Sequence, residues 1–152
     1  MTLSPAEIAY IRTQPLGRLA TVDANGAPQN SPVGFTYDDA TGTIDIGGMR
    51  MGESRKFRNV AATGKVSFVV DDIASFNPWR VRMVEIRGTA VALTDVALGD
   101  DHKSAEIIRI HPTRVISFGL DPVEPEPGAQ PTPRVTELGP TRIASSAGDQ
   151  RR

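Results

Sequence analysis

The sequence predicts a mainly β protein (α+β), in which about six short antiparallel strands close into a small β-barrel with short helices. Two observations lead to this fold class. The 152 residues include 14 glycines and 12 prolines, a content that favours many short elements joined by tight turns. The chain also lacks the regular alternation of strands and helices that a doubly wound parallel sheet requires.

A helix near the N-terminus is predicted by its start signal. Residues 3–8 combine an N-cap serine, Ser4, with Glu7 three positions later, which is the spacing of a capping box. The helix should continue to about Gln14, because Pro15 forces the preceding residue towards an extended conformation.

A β-hairpin is predicted next. The run 17–22 is separated from the segment 28–37 by Asn25-Gly26, a dipeptide that is the strongest short-range hairpin signal. Pro28 and Pro32 lack the backbone N–H that a central strand donates, so the second strand is expected at a sheet edge.

The remaining predicted elements are also short. Phe57, Val60 and Ala61 fall on one helical face, which predicts a helix at 53–62. Residues 72–78 are predicted to form a loop. Strands are predicted at 43–47, 65–71 and 81–93, and as two segments, 105–110 and 114–119, bent at His111-Pro112.

The composition divides the chain into two parts. Residues 1–120 are the predicted barrel domain, and residues 121–152 form a tail that contains half of the 12 prolines. A segment so poor in apolar residues is typical of an extended or disordered chain. The alternative is that this tail is pinned against a partner subunit.

Composition and charge exclude several classes of protein. The 17 basic and 18 acidic residues give a net charge of −1, so the chain lacks the basic field that nucleic-acid or membrane-surface binding requires. The absence of cysteine excludes disulfides and thiolate chemistry. Neither an apolar run of membrane-spanning length nor a signal peptide is evident, so a cytoplasmic protein is expected.

Familiar catalytic signatures are missing from the sequence as well. No nucleophile elbow, P-loop or dinucleotide fingerprint occurs, and no catalytic residue is assigned. The two histidines, His102 and His111, lack the spacing of metal ligands, so no metal site is predicted. His111 precedes Pro112 and is expected to be structural.

The strongest functional signal is a group of cations at the start of the predicted second helix. It comprises Arg50, Arg55, Lys56 and Arg58, together with the hydroxyl of Ser54. A helix N-terminus has unpaired backbone N–H groups and a partial positive charge, so these residues suit a phosphate group. The alternative is an ordinary solvated helix face, although cations there oppose the helix dipole unless an anion compensates them.

Two further segments are candidates for contacts with a ring system. Trp79 follows a proline and precedes Arg80, where it either fills the core or stacks on a planar ring. The polar segment 29–33 is either an ordinary edge strand or a hydrogen-bonding partner for a heterocycle.

In their order and spacing, several segments resemble the split β-barrel family of the pyridoxamine 5′-phosphate oxidases. They are Gly-Arg-Leu-Ala-Thr-Val at 17–22, Gly-Ala-Pro-Gln-Asn-Ser-Pro-Val-Gly-Phe at 26–35, Ser-Arg-Lys at 54–56, Pro-Trp-Arg at 78–80 and Val-Glu-Ile-Arg-Gly-Thr-Ala at 84–90. Over about residues 4–120 the chain most resembles the branch of coenzyme F420 (deazaflavin)-dependent oxidoreductases. The resemblance implies a homodimer with two cofactor sites at the subunit interface.

The resemblance also implies roles for individual residues. The cofactor phosphate would be held by Ser54, Arg55 and Lys56. The ribityl chain or the ring edge would lie along Arg18, Ala20, Thr21, Ile46 and Gly47, and the ring would be lined by Asn30, Ser31, Pro32 and Val33. The second subunit would contribute Arg82 and Phe118, the latter at a position where relatives often carry tryptophan.

The implied cofactor is coenzyme F420, with FMN as the alternative. Coenzyme F420 carries a polyglutamate tail, for which cations such as Arg50, Arg58 or Arg80 would be useful, whereas FMN needs fewer. The implied activity is hydride transfer to an electron-poor double bond of a small organic substrate, such as a tetracycline-type polyketide intermediate. The rival interpretations are an FMN-dependent pyridoxamine phosphate oxidase-like enzyme, a non-catalytic flavin- or haem-binding barrel, and an interaction barrel without a cofactor.

Overall fold

A computed structural model describes residues 2–96, 102–121 and 126–140. Its elements are α1 (Pro5–Arg12), β1 (Gly17–Val22), β2 (Pro28–Val33), β3 (Thr36–Asp38), β4 (Thr43–Ile46), a short 3₁₀ helix (Met51–Glu53), α2 (Arg55–Thr63), β5 (Lys65–Phe76), β6 (Trp79–Leu93), β7 (Ile107–Phe118) and β8 (Arg134–Glu137). The mainly β class is confirmed. The prediction of about six strands was too low, because the segment 28–37 divides into β2 and β3 and because the tail contributes β8.

The strands of the described residues form one antiparallel sheet in the order β2-β1-β5-β6-β7-β4-β3, with β8 paired to β7. Strand β2 lies at the edge, as its two prolines predict. The first helix has the predicted capping box, since the Ser4 Oγ accepts a hydrogen bond from Glu7 N–H at 3.3 Å and Glu7 Oε2 accepts one from Ser4 N–H at 2.8 Å. It ends at Arg12, two residues before the predicted Gln14.

The core lies on one face of the sheet. Leu19, Phe68, Ile86 and Val115 stand beside one another on four neighbouring strands, and all four are buried. Because side chains alternate along a strand, the flanking positions face the other way. That opposite face, called the outer face below, contains Arg18 beside Val69, with Glu85 and Ile116 on the next two strands.

The prediction of a loop at 72–78 was wrong. Strand β5 continues to Phe76 and β6 begins at Trp79, so only Asn77-Pro78 turns the chain. The polar composition of residues 72–78 is typical of a loop and gave no indication that the strand continues. The strand persists because Asp72 lies opposite Arg82 and is bound to it by two hydrogen bonds, at 2.9 and 2.6 Å.

The bend predicted at His111-Pro112 is a register shift within one continuous strand. Pairing between β6 and β7 shifts between Arg87 and Gly88. A Cβ atom at Gly88 would lie 2.2 Å from the backbone oxygen of His111, so only glycine allows the two strands to approach this closely. The two predicted segments are therefore one strand with an irregularity.

Part of the tail belongs to the sheet of its own chain. Residues 134–137 pair with 114–117 of β7, so this segment of the tail is an ordered, extended strand. Residues 122–125 and 141–152 of the predicted tail lie outside the described residues. Within the described ranges, no helix is both long enough and apolar enough to span a membrane.

Candidate functional site

The four predicted cations around the start of α2 have different surroundings. Arg50 forms an ion pair with Glu53, and Arg58 Nη1 donates to the backbone oxygen of Glu53 at 3.2 Å. The side chains of Arg55 and Lys56 have no ion pair or hydrogen bond among the described residues. Arg55 is exposed and Lys56 is half-buried. The structure thus divides the cluster into two engaged cations and two available ones.

The backbone of the same turn also offers free donors. Ser54 is the N-cap of α2, and its Oγ accepts from Phe57 N–H at 3.2 Å while it donates to the backbone oxygen of Met51 at 2.6 Å. The N–H groups of Arg55 and Lys56 lack a partner in the described part of the chain, as expected for the first turn of a helix. The predicted contact of the Ser54 hydroxyl with a phosphate stays a prediction, since this hydroxyl already has two partners.

Four of the predicted ring- and ribityl-contacting residues share the outer face of β1 and β2. Arg18 stands opposite Pro32, and Ala20 stands opposite Asn30. The Arg18 guanidinium forms an ion pair with Asp71 at 3.0 Å, which holds it over this face. The structure therefore brings Arg18, Ala20, Asn30 and Pro32 together.

The neighbouring predicted residues point to the core side instead. Thr21 is fully buried and accepts a hydrogen bond from Asn59 Nδ2 at 3.1 Å, and Val33 is 6% exposed. Only their backbones are left for a ligand on the outer face. The Ser31 Oγ is buried without a hydrogen-bond partner among the described residues, which is an uncommon state.

The segment between β4 and α2 is held by a serine that the sequence interpretation missed. Ile46 is buried and Gly47 is half-buried at the end of β4. Ser104 N–H and Ser104 Oγ both donate to the backbone oxygen of Gly48, at 2.9 and 3.0 Å, and Ser104 Oγ accepts from Met51 N–H at 3.1 Å. Ser104 thereby fixes the approach to α2, and its polar neighbourhood carried no signal for this role.

The other predicted residues, Trp79, Arg82 and Phe118, line one groove of about 1270 Å³. Trp79 is 63% exposed and its ring stands at 5.8 Å from the ring of Phe76, so the core-filling interpretation of Trp79 was wrong. The groove runs between α1, the β5–β6 hairpin and residues 126–132.

A polar network forms the base of this groove. Asp72 accepts hydrogen bonds from Arg82 and, at 2.9 Å, from the hydroxyl of Tyr10, whose ring lies 5.1 Å from the Arg82 guanidinium carbon. The hydrogen bond from Arg82 holds the pKa of Asp72 below its usual value. Burial, with the Asp72 carboxylate beside it, raises the pKa of Tyr10. All three groups therefore keep their usual charges at neutral pH.

The described residues contain no group of three or more histidine, aspartate, glutamate or cysteine side chains that could hold a metal ion. The functional geometry thus consists of cations, backbone N–H groups and a groove.

Comparison with known proteins identifies the family. Residues 4–145 match the sequence model of the pyridoxamine 5′-phosphate oxidase family. The chain belongs to this family. A Streptomyces rimosus protein, 5a,11a-dehydrotetracycline/5a,11a-dehydrooxytetracycline reductase, is 50% identical over 122 residues, which cover 80% of this chain and 86% of that protein.

Solved structures agree with the split β-barrel fold of the pyridoxamine 5′-phosphate oxidase family. The HupZ protein of Group A Streptococcus matches with a TM-score of 0.64 at 20% identity, over 78% of this chain and 95% of that one. An FAD binding protein from Mycobacterium smegmatis matches with a TM-score of 0.57 at 20% identity, over 77% and 96%. At these identities they show the fold alone. The family and the reductase of 50% identity support an oxidoreductase.

In this family member, Arg18 and Arg82 face away from each other. Arg18 is bound to Asp71 and Arg82 to Asp72, which are consecutive residues of β5 and therefore lie on opposite faces of the sheet. One ligand lying against the outer face of β1 would not reach both arginines of the same chain.

Proposed function

We propose that this protein is a coenzyme F420-dependent reductase that reduces an electron-poor carbon–carbon double bond of a tetracycline-type intermediate. The observation that carries the proposal is the start of α2, where the side chains and the backbone N–H groups of Arg55 and Lys56 have no partner among the described residues. This donor set fits a phosphate group at a helix N-terminus. The tetracycline-type substrate follows from the relative of 50% identity, which acts on dehydrotetracyclines.

The choice of the deazaflavin over FMN follows from the number of cations. A phosphate is satisfied by Arg55, Lys56 and the adjacent N–H groups. Arg50 and Arg58 stand within a few residues and are exposed, and their only partner among the described residues, Glu53, is itself exposed. Exposed ion pairs are weak, so an incoming polyglutamate tail can exchange them.

A homodimer is part of the proposal. Arg18 and Arg82 are held on opposite faces of one sheet, so both border the same active site only if they come from two copies of the chain. The outer face supports this arrangement because Val69, Met83 and Ile116 are apolar there and only half-buried. A second copy would cover these side chains.

The chemistry follows from the cofactor, and the chain supplies orientation. Reduced coenzyme F420, when bound, supplies a hydride. One carbon of the substrate double bond gains this hydride and the other gains a proton, from solvent or from a nearby hydroxyl or acid. Arg55 and Lys56 anchor the phosphate end, while the outer face of β1 and β2, with Ala20 and Asn30, positions the ring.

The test is a cofactor titration followed by a turnover assay. Purified protein should bind coenzyme F420, and reduced coenzyme F420 should be consumed when a 5a,11a-dehydrotetracycline is added. Omission of the substrate is the control for slow oxidation by air. Tight binding of FMN without any binding of coenzyme F420 would contradict the proposal.

An FMN-dependent oxidoreductase is the second candidate. It is favoured by the family itself, whose sequence model is that of pyridoxamine 5′-phosphate oxidase. The absorbance of the protein as purified separates the two candidates, since flavin and deazaflavin absorb at different wavelengths. Binding of either cofactor without turnover would favour a non-catalytic barrel.

A further inference from the structure

We propose that the groove between α1, the β5–β6 hairpin and residues 126–132 binds the substrate, and that it selects a flat, oxygen-rich polycycle without net charge. This inference rests on the proposed function, because it places that substrate beside Arg82 and Phe118. The volume of about 1270 Å³ is ample for a ligand of four fused rings.

The walls of the groove suit a flat apolar body. Helix α1 presents two small, exposed side chains there, Ala6 and Ala9, above the ring of Tyr10 at the base of the groove. At the rim, Trp79 is 63% exposed, and its ring stands edge to face with that of Phe76, which is 74% exposed. Large aromatic side chains so exposed in a small protein provide a stacking surface for a planar ring system.

The base of the groove suits the oxygen atoms of such a polycycle. Arg82 uses Nε and Nη2 to bind Asp72, and its Nη1 has no partner among the described residues. The guanidinium is thus fixed in place while one nitrogen still offers hydrogen bonds. A carbonyl or enol oxygen of the ligand can accept one of them.

The charge of the groove argues against the cofactor as its occupant. Among the lining residues described, the cations Arg80 and Arg82 are matched by Asp121 and Glu126. A phosphate or a polyglutamate tail would meet no excess of positive charge here, unlike at Arg55 and Lys56. The groove therefore suits a polycycle without net charge better than the anionic parts of coenzyme F420.

The chain provides its own reporter for a test. Trp79 is the only tryptophan, so its fluorescence reports on the rim of the groove alone. Titration of the full chain with oxytetracycline, a flat tetracyclic probe, should quench this fluorescence in a saturable manner. Absence of quenching would overturn the inference.

A matched pair of variants locates the probe. Ala9→Leu fills the groove from α1, whereas Ala62→Leu makes the same change at an exposed position of α2 outside it. Both keep a good helix former, so folding should be unaffected. We expect Ala9→Leu to raise the dissociation constant of the probe by at least about tenfold, and Ala62→Leu to leave it unchanged. Equal effects of the two variants, or a loss of cofactor affinity in Ala9→Leu, would overturn the inference.

Turnover distinguishes the failure of this inference from the failure of the proposed function. If the wild-type protein reduces its substrate but Ala9→Leu has the same KM, the groove is not the substrate site while the proposed function holds. If no reduction occurs with any cofactor but the probe still distinguishes Ala9→Leu from Ala62→Leu, the groove binds polycycles and the proposed function fails.

Discussion

The start of α2 and the base of the β5–β6 hairpin both concentrate cations, but at the start of α2 most of them are not paired with a carboxylate among the described residues. Arg82 binds Asp72 at 2.6 Å and Arg18 binds Asp71 at 3.0 Å, whereas Arg55 and Lys56 have no partner in the described ranges. An arginine that is paired with a carboxylate of its own chain is held in place and its charge is compensated. Two cations without carboxylate partners at a helix N-terminus destabilise the helix. This difference indicates that an anion binds at the start of α2.

The magnitudes support this distinction. A cation in the first turn of a helix opposes the dipole by roughly 0.3–1 kcal/mol. A hydrogen bond to a charged group contributes about 1.5–3 kcal/mol when its partners are fixed. The hairpin arginines thus stabilise the fold, while Arg55 and Lys56 destabilise α2 slightly until a ligand compensates them.

The largest expected effect is on cofactor binding. The double variant Arg55→Ala, Lys56→Ala removes both unpaired side chains and leaves the N–H groups, so affinity for coenzyme F420 should fall by about 100-fold, or ~2.7 kcal/mol. Thermal stability should stay the same or rise, because the dipole is no longer opposed. A fluorescence titration and a melting curve measure the two quantities.

Arg58→Ala is the matched control for this variant. It removes a cation three positions further along the same helix, one that already donates to Glu53. Because Arg58 is proposed to meet only the polyglutamate tail, at an exposed position, its loss should weaken affinity clearly less than the double variant does. An equal loss in both variants would mean that the cluster acts only through its summed charge, and a loss in neither would leave it as a solvated helix face.

Much of the fold was readable from local sequence signals. The capping box at Ser4, the Asn25-Gly26 hairpin and the edge position of β2 each depend on the conformation of a few adjacent residues, and all three are confirmed. The position of the cationic helix start was predictable for the same reason.

The features that the sequence did not predict depend on contacts between residues that are distant in the chain. The extension of β5 beyond Asp71 depends on the pairing of Asp72 with Arg82, and strand β8 depends on an open stretch of β7 edge, so neither is visible in local composition. The division of the cations into engaged and available ones depends on Glu53, and the anchoring of Gly48 depends on Ser104, which is more than 50 residues away.

A smaller effect is expected at the hairpin. Asp72→Asn leaves Arg82 without its carboxylate and weakens the contact with Tyr10, so the free energy of unfolding should fall by about 1–3 kcal/mol. Because Arg82 holds the pKa of Asp72 below its usual 3.8, this stabilisation is present above that pH and is lost as the pH falls further. Urea unfolding of the wild type and the variant at neutral and acidic pH measures both effects.

Asp71→Asn is the control for the hairpin, since it makes the same change one residue earlier. Its ion pair with Arg18 is nearly half exposed, so the loss should stay below about 1 kcal/mol. If Asp71→Asn lowers the free energy of unfolding as much as Asp72→Asn does, the two ion pairs, Arg82–Asp72 and Arg18–Asp71, do not differ in their contribution to stability. Cofactor affinity, by contrast, should respond to Asp71→Asn through the position of Arg18.

The smallest expected effect concerns Arg109, and it tests whether a cation that is paired with a carboxylate has only a weak effect on the pKa of a neighbouring group. Burial lowers the pKa of His111 below 6.5, Arg109 lowers it further, and Asp45, which is bound to Arg109 at 2.7 Å, opposes that change. Below pH 6.5 the unfolded chain therefore takes up this proton first, and stability should fall as the pH decreases. The slope of the unfolding free energy against pH, between about pH 6.5 and pH 5, should stay well under 1.4 kcal/mol per pH unit. This slope should vanish in the variant His111→Gln but not in the control variant His102→Gln. Asp45→Asn leaves Arg109 unpaired beside the imidazole and should steepen the slope. An unchanged slope would show that the ion pair with Asp45 does not reduce the effect of Arg109 on the pKa of His111.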